Sequence, residues 1–194
     1  MAGFEGALPL DAFDVCAANP AREHVAEPEA ALKLVEELSN GQALRKIKLS
    51  NKSYGAKAAK AIAEKLASLR GVKDVDVSDV IAGRPEAEAL EVLETLALAL
   101  AKASGYGDAK RSRVTALDVS DNALGQKGLD ALLPLFMGAA PLVQLKTCNN
   151  GMSSAAAHQD PGTPTMQAAT RAIARWGGKH RNHRFTIARY YIDK

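Results

Sequence analysis

Leu117-Asp118-Val119-Ser120-Asp121-Asn122 and Leu145-Lys146-Thr147-Cys148-Asn149-Asn150 are one phrase written twice. Ile47-Lys48-Leu49-Ser50-Asn51 and Val75-Asp76-Val77-Ser78-Asp79 repeat it upstream. The step from Ile47 to Val75 equals the step from Leu117 to Leu145, and the step between them, Val75 to Leu117, is half as long again. The middle step is therefore one period with half a period inserted. In each copy apolar residues alternate with polar ones, which places them on one side of a short strand. Lys48, Asp76, Asp118 and Lys146 then face the other way.

A fixed period in the twenties, with leucine-like residues alternating before an Asn, marks a leucine-rich-repeat solenoid. The expected class is α/β and ribonuclease-inhibitor-like, with short parallel strands on the concave face and helices on the convex face. Ala58, Ala59, Ile62, Leu66 and Leu69 form one helical stripe, and Leu129, Leu132, Leu133 and Phe136 another. The repeat Asn has a structural reading. Tight strand exits leave buried backbone donors and acceptors, and a stacked side-chain amide satisfies both kinds. Asn122 and Asn150 are assigned to this ladder, whose register is taken by Lys52 and Val80 in the first two copies. Cys148 stands where Ser50 and Ser120 stand, so it reads as a small buried spacer. Such a protein works through an extended surface, by recognition or by catalysis assisted across an interface.

Three segments follow. Residues 1–43 read as a cap, with an edge strand near Phe13-Asp14-Val15 and a helix from Glu27-Pro28-Glu29 to about Leu38, stopped by Asn40-Gly41. Residues 44–157 hold about four repeats. Asp160-Pro161-Gly162-Thr163-Pro164 then breaks the pattern, leaving a tail, 158–194, with one amphipathic helix from Thr165 to Trp176.

The composition is that of a globular chain, with 47% apolar, 24% charged and only 5% aromatic residues. The net charge of +3 is uneven: seven basic residues and one acid lie between Arg171 and Lys194. This basic segment lies outside the repeats, so nucleic acid is not the expected partner. No apolar run approaches the roughly 18 residues of a membrane span. The N-terminus lacks the basic and apolar regions of a secretory signal. Cys16 and Cys148 imply no disulfide framework, and the expectation is a reducing, cytoplasmic or perinuclear location. His180 and His183 read as part of a solvated tail rather than a metal pair. No phosphate-cradling loop of the Gly-x-x-x-x-Gly-Lys-Ser/Thr type is present, so neither a nucleotide site nor a cofactor is expected.

From Val75 to Leu93, through Ile81-Ala82-Gly83-Arg84-Pro85-Glu86, the sequence resembles the plant and algal branch of the Ran GTPase-activating proteins. Leu49-Ser50-Asn51-Lys52-Ser53-Tyr54-Gly55, the stretch from Leu117 to Gly128, and Asn149-Asn150-Gly151-Met152-Ser153 are similar to the family's other early repeats. The likeness runs from about Phe13 to Ala157, and the inserted Ala-Gly-Arg-Pro-Glu run is its most specific part. The resemblance implies a partner, a Ran-like small GTPase in its GTP form, and acceleration of that partner's GTP hydrolysis in nucleocytoplasmic transport. It implies an Asn that holds the GTPase's own glutamine, matched here by Asn149, and a functional arginine, matched by Arg84. Asp79, Asp121 and Lys127 are candidate partner contacts on the same rim. A basic residue two positions after the arginine in several members is Glu86 here. The family's later repeats, acidic tail and N-terminal targeting domain have no match, so the chain reads as truncated or divergent after the fourth repeat. Beside these readings stand plainer ones. Asn149 suits a strained turn, Arg84 suits a solvated loop, and the whole suits a catalytically inert binding scaffold.

Overall fold

In the computed structural model, the described residues are 11–17, 19–106, 113–123, 125–136 and 142–150. The tail with its amphipathic helix, Met152, His180 and His183 lie outside them. The strands are β1 (Ala12–Asp14), β2 (Glu23–Val25), β3 (Lys46–Lys48), β4 (Lys52–Tyr54), β5 (Asp74–Asp76), β6 (Ala116–Asp118) and β7 (Gln144–Lys146). The α-helices are α1 (Pro28–Leu34), α2 (Ala56–Ser68), α3 (Glu86–Ala101), α4 (Gly125–Ala131) and α5 (Leu133–Phe136), and a π-helical turn, Lys102–Tyr106, follows α3. A parallel sheet runs β1-β3-β5-β6-β7, and β2 and β4 form a second, two-stranded parallel sheet. This is an α/β architecture of short parallel strands and helices, compatible with a leucine-rich-repeat fold.

Register follows the repeat phrase. Phe13, Ile47, Val75, Leu117 and Leu145 are successive neighbours across the main sheet. Ile47 and Val75 are fully buried, as are Ala58, Ala59, Ile62 and Leu66 of α2 behind them. Helices α1, α2 and α3 pack in sequence order, and α3 packs on α4 and α5. Each buried leucine-sized side chain contributes roughly 2 kcal/mol by leaving water, so the row and the helix stripe together form one continuous core.

Several expectations are corrected. The edge strand expected near Phe13-Asp14-Val15 is present as β1, at the edge of the main sheet among the described residues; what the sequence did not show is that it pairs in register with the repeat strand β3. Helix α1 ends at Leu34, and a turn carries Leu38 into the core. The stripe at 129–136 is broken in two, because Pro134 lacks the amide that would continue α4. The break brings Leu135, not Leu133, into the core beside Leu132. The additional length of the long step falls mainly after α3, since Asp74 to the start of α3 at Glu86 is little longer than Lys46 to the start of α2 at Ala56. Cys148 is exposed rather than buried, because β7 is the last strand of the sheet among the described residues.

Candidate functional site

The strands leave the sheet through a repeated turn, and the turn builds a rim. Asp14, Asp76 and Asp118 each fold a carboxylate oxygen back onto the amide two positions ahead, at 2.8, 3.0 and 3.1 Å. Just beyond this amide in the second and third repeats, and at the matching places in the first and fourth, Asn51, Asp79, Asp121 and Asn149 take positive φ values of 62°, 52°, 60° and 51°. Asn and Asp tolerate this left-handed region better than other side chains. Neighbouring turns are joined through Asn51 N–H to Ser78 O at 3.3 Å, Asp79 N–H to Ser120 O at 3.0 Å and Asp121 N–H to Cys148 O at 2.9 Å. The four side chains therefore stand in a row at the C-terminal ends of the strands.

Behind this row, Asn150 and Asn122 are nearly buried. Asn150 Oδ1 accepts the Asn122 amide at 2.9 Å, and its Nδ2 donates to Val119 O at 3.0 Å. Asn122 Oδ1 accepts the Val80 amide at 2.9 Å, and its Nδ2 donates to Val77 O at 2.7 Å. The chain of amides stops at Val80, whose side chain offers neither the acceptor nor the donor of an amide. In the coil before it, Lys52 is completely buried, and its ammonium donates to Asn19 O at 2.9 Å and to Ala21 O. Glu23 Oε2 lies 3.5 Å away. A buried charge demands such company.

Asn149 is exposed, and its Nδ2 donates to Asp121 Oδ1 at 2.9 Å. An ionised carboxylate only accepts, so this contact fixes which end of the amide faces it. Asn149 Oδ1 is left without a partner among the described residues. Arg84 behaves differently. Its side chain is only 13% exposed. Its guanidinium donates to Ser53 Oγ at 3.1 Å and Ser53 O at 2.8 Å, reaching back to β4. Glu88, near it on α3, accepts the first amide of α2 at 3.1 Å. This join needs Gly55, where a Cβ would come within 3.2 Å of the Ala26 Cα. Asp79 pairs with Arg22 at 2.6 Å. Lys127 pairs with Glu86, a hydrogen bond that raises the pKa of the lysine.

The sheet face opposite the core carries further pairs: Lys48 with Asp14 at 3.1 Å and Lys146 with Asp118 at 3.2 Å. Hydrogen bonding to Asp118 raises the Lys146 pKa. Sequence reasoning missed Arg22 and the partners of Lys52. The available signal was Lys52 itself, a cation in a register that points inward.

No family model matches the chain. It is 40% identical over 121 residues to RAN GTPase-activating protein 1 of Arabidopsis thaliana, covering 61% of this chain and 21% of the relative. Over that stretch the chain resembles Ran GTPase-activating proteins. RAN GTPase-activating protein 2 of the same plant is 40% identical over 134 residues, 69% of this chain and 23% of its own length. Ran GTPase-activating protein 1 of Xenopus laevis is 34% identical over 128 residues, 65% of this chain and 20% of its own length. The chain thus spans about a fifth of the length of these curated relatives.

Proposed function

We propose that this chain is a leucine-rich-repeat activator of a Ran-type small GTPase, acting on its GTP form in nucleocytoplasmic transport. In this reading 1–43 is a cap, 44–157 about four repeats and 158–194 a basic extension. The observation that carries it is the exposed Asn149 amide on a turn backed by buried amides, in a chain 40% identical over 121 residues to a named Ran activator. Asp121 holds the nitrogen end, so the free oxygen is the end that accepts from a glutamine amide of the GTPase. A glutamine fixed in this way orients the attacking water, and the gain comes from positioning rather than a new nucleophile. Asp79, Asp121 and Lys127 flank the contact.

The test is single-turnover GTP hydrolysis by Ran at micromolar concentrations of this protein. Acceleration is expected, and Asn149→Ala removes most of it. Asn149→Gly is the cleaner variant, because glycine adopts the turn's φ without strain. An unchanged hydrolysis rate with the parent chain rejects the activity. A second reading, a binding scaffold without catalytic effect, is favoured by Arg84, which is tied to Ser53 and not extended outward. It requires capture of a partner by the parent chain, with Asn149→Ala binding as well as the parent.

A further inference from the structure

We propose that Arg22, not Arg84, is the arginine this rim presents to its partner, and that it meets a carboxylate on the surface of the bound GTPase. The inference rests on the activator reading above. Arg84 has 13% of its side chain exposed and spends its guanidinium on Ser53. Arg22 has 54% exposed, and its bond to Asp79 Oδ1 is the one its side chain makes among the described residues. A guanidinium carries five donors in a planar fork, so most of them remain available.

The loop that carries Arg22 is built to hold still. The three carbonyls before it are all engaged: Asn19 O and Ala21 O by the buried Lys52 ammonium, and Pro20 O by Asn51 Nδ2 at 2.8 Å. Asn19 Oδ1 also accepts the Ala21 amide at 3.0 Å. Lys52 sits where a ladder Asn would sit, and its longer reach ties this loop to the stack. Asp79 then sets the direction of the side chain. Preorganisation of this kind lowers the ordering cost of a contact, while an exposed ion pair is weak enough to exchange partners.

The position also selects the type of anion. Asp79 and Asn149 lie two strands apart in the row of turns, roughly 10 Å at the usual strand spacing. If Asn149 attends the reacting glutamine, Arg22 lies off the transferring phosphate, with Asp79 and Asp121 between them. A carboxylate on the GTPase surface fits that place. Contact with the phosphoryl group does not.

The experiment measures hydrolysis by Ran·GTP over a range of substrate concentrations with the parent, Arg22→Ala, Arg22→Lys and Arg22→Glu chains. Arg22→Ala is expected to raise KM about tenfold, the scale of losing an energetically important interface arginine, with kcat within about twofold. Arg22→Glu raises KM further, Arg22→Lys recovers part of the loss, and the salt dependence of KM flattens in Arg22→Ala. An unchanged KM overturns the proposal and leaves the activator reading intact. A fall in kcat at constant KM overturns it in favour of phosphate contact. A parent chain that gives no acceleration overturns the activator reading, and this one with it.

Discussion

The early and late coils among the described residues solve one problem with different chemistry. At β6 and β7, each turn is tied to its neighbour by a buried amide, Asn150 to Asn122 and Asn122 to Val80. At β3 and β4 the corresponding place holds the ammonium of Lys52, which binds carbonyls of a loop rather than the next turn. An amide offers both a donor and an acceptor, so it can pass a pattern on from layer to layer. An ammonium only donates, so Lys52 cannot take the pattern up again beyond Val80, where it stops. The amide end leaves Asn149 and its oxygen on the rim, and the ammonium end delivers Arg22 there.

Four substitutions would break or sharpen this contrast. The largest loss of stability is expected for Asn122→Ala, which leaves the Val80 amide and the Val77 carbonyl without their partners, about 2–4 kcal/mol by urea unfolding. Lys52→Met should cost less, about 1–3 kcal/mol, since its carbonyl partners belong to a partly buried loop that water can serve. Its distinctive sign is faster amide exchange at Ala21 and Arg22, with protection at Asn122 unchanged. Asn150→Ala should cost about 1–2 kcal/mol, as it gives up two bonds just after the last described strand. Asn149→Gly should move stability by less than about 0.5 kcal/mol and yet remove most acceleration of GTP hydrolysis. Equal losses for Asn122→Ala and Asn149→Gly would erase the distinction between buried and rim amides.

The periodic part of the fold was legible because one phrase fixes both strand and turn. Apolar alternation sets the face, and residues such as Asp118 and Asp121 suit the turn through local bonds and backbone tolerance. What escaped depends on contacts between distant segments. Lys52 falls in the ladder register, but nothing in the sequence signals that Lys52-Ser53-Tyr54 are all buried as β4, paired with Glu23–Val25 of β2 far upstream. Pro134 was visible in the sequence, but the shift of burial to Leu135 follows from how the chain resumes after the break. Cys148 was read from its register alone, while its exposure reflects its place after β7, the outermost strand among the described residues. In the candidate site, motif likeness pointed to Asn149 and Arg84. The different fates of their side chains rest on Asp121 and Ser53, each a full repeat or more away in sequence.

The left-handed turns also restrict what this edge of the protein can say. A position at φ between 51° and 62° admits asparagine, aspartate or glycine with little strain and penalises nearly everything else. Evolution can therefore vary each letter of the row only among a neutral amide, a negative charge and a blank. Positive charge must be brought in from outside the row, on a separate piece of chain.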